Sequence, residues 1–123
     1  LETLKLPSSM RILEMSNLSI RKPPKIISSG LIELDMRRNG MEDPENLSII
    51  KTLTDLDLSD NRIKSLDWLC SLKNLETLIL NNNLLEEFSP PCVLQNLYRL
   101  EIKGNSITKV DKTKIPNVRV LMI

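Results

Sequence analysis

The sequence predicts a right-handed α/β solenoid, with short parallel strands on its concave face and 3₁₀ or extended returns on its convex face. Three observations predict it. Leu53, Leu56, Leu58, Asn61 and Ile63 are matched 22 residues later by Leu75, Leu78, Leu80, Asn83 and Leu85. Alternation across Leu56 and Leu58 is the period of a short strand with one face buried. From Ile63 the apolar spacing becomes three, through Leu66, Leu69, Leu72 and Leu75. That spacing suits a tight 3₁₀ or extended segment and not a long α-helix. One strand and one return per 22 residues make a coil, and stacked coils make a solenoid.

Taken in order, the same frame places every element. Leu1, Leu4, Pro7 and Met10 occupy the three-spaced positions, so residues 1–9 read as the return side of a coil. The next strand opens at Met10, with Leu13 and Met15 pointing inward. Leu18 stands there where an Asn is due, and Asn17 sits one place early. Ile20, Pro23 and Ile26 carry the return, and Pro23-Pro24 excludes helix from it. Ser28-Ser29-Gly30 turns the chain into the following strand. Leu31, Leu34, Met36, Asn39 and Met41 restore the pattern, and Pro44, Leu47 and Ile50 return it. After the two repeats described above, the return runs Phe88, Pro91, Leu94, again without helix at Pro90-Pro91. Leu97, Leu100, Ile102, Asn105 and Ile107 form the next coil, and Val118, Leu121 and Ile123 start another strand.

The pattern LxxLxLxxNxL followed by IxxLxxLxxL resembles the leucine-rich repeat. Its 22-residue form is similar to the repeats of phosphatase regulatory-subunit type proteins. The resemblance covers nearly the whole chain and implies a single leucine-rich-repeat segment over residues 1–123. About five full repeats begin near 10, 31, 53, 75 and 97, with partial repeats at both ends. With neither end closed by a polar cap, the chain is expected to be a piece of a longer protein and to self-associate through its ends. The phrases LTDLDLSDNRI, LETLILNNNLLEEF and NVRVL are further similar to the leucine-rich-repeat immune proteins of insects. Those are secreted proteins that assemble through terminal cysteines and a coiled coil.

Composition narrows the function classes. Hydrophobic residues make up 41% and charged residues 27% of 123, an ordinary globular balance. The net charge of +1 argues against a nucleic-acid partner, and no apolar run approaches a membrane span of roughly 18 residues. The sequence contains no His, which removes the usual triads and the commonest general base. Gly30, Gly40 and Gly104 form no phosphate-cradling loop. Carboxylate pairs on an open strand surface are expected to lack the enclosure that shifts a pKa. The chain therefore reads as no enzyme, with no cofactor and no metal.

The recurrent Asn39, Asn61, Asn83 and Asn105 read as a structural ladder, each amide satisfying backbone groups of adjacent coils. Replacing Asn61 by Leu is expected to cost about 1–3 kcal/mol. The outward strand positions define the concave face and its candidate partner-binding residues: Glu14, Glu33, Asp35, Arg37, Asp55, Asp57, Ile79, Tyr98, Arg99 and Glu101. Its acids would attract a basic protein ligand, with Ile79 and Tyr98 as apolar anchorage. Cys70 and Cys92 hold one position in neighbouring coils. They read as small buried hydrophobes, with a disulfide as the alternative. Trp68 reads as a cover over the coil and not as an anchor for a partner.

Protein–protein recognition on the concave face leads, with extracellular innate immunity as its setting. The alternatives are an intracellular scaffold or phosphatase-type regulatory subunit, or the substrate-selecting arm of an enzyme. The compartment stays open, extracellular being placed ahead of cytoplasmic.

Overall fold

The computed structural model describes residues 3–123. Its strands, in chain order, are β1 Thr3–Lys5, β2 Ile12–Glu14, β3 Lys25–Ile27, β4 Glu33–Asp35, β5 Asp55–Asp57, β6 Thr77–Ile79, β7 Glu87–Phe88, β8 Arg99–Glu101, β9 Lys109–Val110 and β10 Val120–Met122. One strand from each coil joins a six-stranded parallel sheet in the order β10-β8-β6-β5-β4-β2. Leu13, Leu34, Leu56, Leu78, Leu100 and Leu121 lie in one register across it. Every neighbour in this sheet is the strand of the adjoining coil, so the coils stack without exchanging places.

The returns take two forms. Three carry 3₁₀ turns, at Glu45–Ile49, Asp67–Ser71 and Lys112–Lys114. Beside Pro23-Pro24 and Pro90-Pro91 the chain stays extended, as β3 and β7, and pairs in parallel with β1 and β9, the latter preceding the 3₁₀ turn of its own return. Leu4 of the first segment lies opposite Ile26, on the return side. An extended return has period two, and this corrects one expected core position. Phe88 and Pro90 are buried whereas Pro91 is exposed.

The core is a column of leucines wrapped by these coils. Leu53, Leu56, Leu58, Leu75, Leu78 and Leu80 are all at most 1% exposed, and each stabilises the fold by roughly 1.5–3 kcal/mol relative to an exposed side chain. The first and last coils pack against that core only in part, through Leu4, Met10, Leu13, Ile20, Ile107, Val110, Val118 and Leu121. Ile123, expected inside, is exposed. Trp68 is buried, its indole N–H donating to the Ser65 carbonyl at 2.6 Å. It covers the coil.

Asparagines tie each coil to the one before. Asn61 Oδ1 accepts from the backbone N–H of Asn39 and of Met41, at 3.1 and 2.9 Å. Its Nδ2 donates to the carbonyls of Met36, Leu58 and Ser59. Asn39 does the same one coil earlier, and its Oδ1 accepts from Leu18 and Ile20. Leu18 can therefore stand in an Asn position: its backbone is served from the next coil while its side chain points to solvent. Asn83 and Asn105 continue the ladder at Ile63 and Leu85.

A second series runs along the other edge, where Asn74, Asn96 and Asn117 donate to the carbonyls of Lys51, Lys73 and Gln95. The residue before each ladder Asn, or before Leu18, adopts positive φ: Asn17, Arg38, Asp60, Asn82 and Gly104, at 57°, 57°, 58°, 57° and 70°. This left-handed residue swings the chain out of the sheet in each repeat.

Cys70, in the second 3₁₀ turn, is joined by a disulfide to Cys92 in the next return, with Cα atoms 5.8 Å apart. This corrects the expectation of two separate hydrophobes. Both residues are half-buried, and the stacked returns hold their backbones at a separation a disulfide spans.

Candidate functional site

The site is the solvent-facing surface of the six-stranded sheet. Parallel pairing in perfect register converts the 22-residue period into columns. One column runs Ile12, Glu33, Asp55, Thr77, Arg99, Val120, and the next runs Glu14, Asp35, Asp57, Ile79, Glu101, Met122. Strands are about 4.8 Å apart, so Glu14, Asp35 and Asp57 stand in a row of like charge, with Glu33 and Asp55 in the row alongside.

The two halves of the face differ in how their charges are satisfied. In the N-terminal half one cation serves two acids. Arg37 reaches Asp35 at 2.9 Å and Asp57 at 3.7 Å. Its guanidinium pKa is raised, chiefly by the hydrogen bond it donates to Asp35 and by the charge of that carboxylate. Among the described residues, Glu14, Glu33 and Asp55 have no ion pair; Asp55 only accepts a hydrogen bond from the Thr54 hydroxyl at 2.8 Å. Asp57 is held above the usual carboxylate range by burial, against the hydrogen bonds it accepts from Ser59. The expectation that no carboxylate here would be shifted is thereby corrected. Burial among its neighbours on the sheet removes enough water from Asp57 to move it.

The C-terminal half is knitted to itself. Glu101 accepts from Asn81 Nδ2 at 3.0 Å and from Arg99 Nε at 2.8 Å, and these bonds lower its pKa. Asn81 Oδ1 accepts in turn from the backbone of Lys103, and Arg99 also reaches the sulfur of Met122. Ile79 is half-buried on the strand between the halves. Tyr98 lies one residue ahead of β8 and is exposed. Nine of the ten candidate residues thus share one continuous surface, and Tyr98 stands at its edge. Sequence reasoning missed that Arg37 links two acids across strands. Its only sequence signal is its place two residues after Asp35.

This arrangement can bind charge and shape; the described residues contain no cluster of ligands able to hold a metal ion. Residues 51–96 match the family model for leucine rich repeats in two copies. With the parallel sheet, the register and the asparagine ladder, that decides the family. Its repeats are leucine-rich repeats. Leucine-rich-repeat domains are typically non-enzymatic modules for protein–protein interaction. No curated protein matches this leucine-rich-repeat chain. No helix among its described residues is long and apolar enough to cross a membrane.

Proposed function

We propose that this leucine-rich-repeat chain recognises a basic protein ligand on the acidic N-terminal half of its concave sheet, around Glu14, Glu33, Asp35, Asp55 and Asp57. One observation carries the reading. Carboxylates stand in register on adjacent strands, where like charges cost roughly 0.2–1 kcal/mol per pair by analogy with cross-strand pairs, and among the described residues Arg37 is the one cation ion-paired with them, reaching Asp35 and Asp57. Asp35 and Asp57 each accept one backbone N–H, from Arg37 and Ser59, whereas Glu14, Glu33 and Asp55 serve no backbone group among the described residues. Acids that cost stability and leave charge unpaired suit a partner that supplies the missing cations. The knitted C-terminal half, with Ile79, Tyr98, Arg99 and Glu101, would supply apolar and polar contacts beside them.

The disulfide favours an extracellular setting, because such bridges persist in oxidising compartments. Innate-immune recognition is the role that the similarity to secreted insect proteins supports. An intracellular scaffold fits the bridge less well.

Reversing Asp35 and Asp57 to Lys tests the reading. Used as bait in extracellular fluid, the unaltered chain should capture a basic partner that elutes with salt, and the double variant should lose it. A control pair on the other rim, Glu42→Lys and Glu86→Lys, should retain it. Equal capture by all three baits, each verified as folded by circular dichroism, would show that another surface is used.

A further inference from the structure

Two stretches of the chain read Asn-x-Ser: Asn17-Leu18-Ser19 and Asn46-Leu47-Ser48. This is the acceptor pattern for N-linked glycans, which belong on surface loops of secreted proteins. The fold treats the two very differently. Asn17, Leu18 and Ser19 are all exposed, on the turn that leaves β2. The side-chain amide of Asn17 makes no hydrogen bond among the described residues, and its backbone N–H is already served by the Arg37 carbonyl at 3.0 Å. Asn46 is half-buried in a 3₁₀ turn, where its Nδ2 donates to the Pro23 carbonyl of the previous coil at 2.8 Å. The next residue, Leu47, is fully buried. A sugar on Asn46 Nδ2 would start between two stacked coils. A sugar on Asn17 would start in water.

We propose that Asn17 is an N-glycosylation site of this protein and that Asn46, despite its matching sequence, is not. In the transfer, a bond forms between Asn17 Nδ2 and the anomeric carbon of a lipid-diphosphate-linked oligosaccharide. The anomeric carbon–phosphate bond breaks, the lipid diphosphate departs, and the amide nitrogen loses one proton; nothing is oxidised or reduced. The Cys70–Cys92 bridge is an independent sign of the compartment in which such transfer takes place. The inference rests on the extracellular part of the functional reading and is independent of which residues on the sheet bind a ligand.

Attachment at Asn17 has a local consequence. Leu18 beside it is an exposed leucine, 57% accessible, at the rim of a coil whose Leu13 and Ile20 are only partly covered. A hydrated oligosaccharide there shields an apolar end of the solenoid. It stands three residues past Glu14, at the edge of the acidic surface, and off the strands that carry Asp35, Asp57 and Ile79.

The test uses the chain isolated from the cells that make it. The protein is treated with a glycan-releasing amidase in heavy-oxygen water, digested without reduction, and mapped by mass spectrometry. Release converts each occupied Asn to a labelled Asp. The expected result is label at position 17, none at 46, and an intact Cys70–Cys92 peptide pair. Expression of the chain behind a secretion signal should then show the glycan lost on Asn17→Gln or Ser19→Ala and kept on Asn46→Gln. An unlabelled position 17 in protein that carries the bridge overturns the inference and leaves the extracellular reading standing. An unlabelled position 17 with free cysteines overturns both. Equal label at 17 and 46 overturns the discrimination drawn from the fold.

Discussion

Replacing Asn61 by Leu removes one rung of the ladder, and the structure allows its cost to be worked out group by group. The three carbonyls that lose Asn61 Nδ2 are not stranded. Met36 O still accepts from Asn39 Nδ2, Leu58 O from Asn83 Nδ2, and Ser59 O from the backbone of Arg38. The two donors are in a different position. The N–H groups of Asn39 and Met41 both give to Asn61 Oδ1, inside a region where Asn39 and Met41 are 3% and 0% exposed. Each buried donor left without a partner costs about 1–3 kcal/mol, so the pair costs about 4 kcal/mol, more than the sequence alone suggested. Asn105→Leu is the internal comparison. Its Oδ1 serves one donor, that of Leu85, and its half-exposed side chain leaves water a route in, so the loss should be about 1–2 kcal/mol. Urea unfolding followed by far-ultraviolet circular dichroism measures both. At a slope of about 2 kcal/mol per molar urea, Asn61→Leu should lower the midpoint by about 2 M and Asn105→Leu by about 0.5–1 M. Equal midpoints for the two variants, or an Asn61→Leu midpoint near that of the parent, would refute the assignment of the cost to stranded donors.

Three other outcomes are expected. Arg38 holds the left-handed position that Gly104 fills elsewhere, so Arg38→Gly should stabilise the chain by about 0.5–1 kcal/mol, whereas Gly104→Ala, whose new methyl would meet the Asn82 side chain, should destabilise it by about 1–2 kcal/mol, both read by urea midpoint. Reducing the Cys70–Cys92 bridge, which closes a 22-residue separation, should cost about 3 kcal/mol on the loop-entropy model, measured by unfolding with and without dithiothreitol; no change on verified reduction would count against a staple. Asp57 binds its proton more tightly folded than unfolded, so its contribution lowers stability as pH rises from its ordinary 3.8 through its raised folded value; Asp57→Asn should remove that component, and unchanged pH–stability curves would contradict burial as its cause.

The positions that face the core were legible because burial imposes its period on the sequence directly. A leucine column such as Leu34, Leu56, Leu78 and Leu100 can be read from 22-residue spacing alone, and the parallel register follows once strands of equal length recur. The ladder asparagines were legible for the same reason: a buried amide tolerates few substitutes. The left-handed column was not read, although Asn17, Asp60, Asn82 and Gly104 are the residue types that adopt positive φ most easily. Arg38 interrupts the series, and an exposed position excludes little. Asn74, Asn96 and Asn117 went unread on the same grounds, since each sits on the surface and serves a single carbonyl.

What the sequence could not carry is any property that depends on distance across the coils and not on period along the chain. Cys70 and Cys92 were known to be adjacent in the stack, but a bond between them also requires their two returns to approach within the reach of sulfur, and the turn at Asp67–Ser71 faces an extended segment shaped by Pro90-Pro91. The acids show the same division. Their columns followed from the repeat, yet the placement of Arg37 between Asp35 and Asp57, and the burial that raises Asp57, come from side-chain reach and packing across the strands. Those two facts separate the charges that the fold has already neutralised from Glu14, Glu33 and Asp55, which it has not. A ligand answering to this surface should therefore respond more strongly to losing one of the three unpaired acids than to losing Asp35, whose charge Arg37 largely spends. Single changes to Gln or Asn, compared by salt-dependent affinity for the captured partner, would show that order, and the reverse order would mean that the ligand displaces Arg37 on binding.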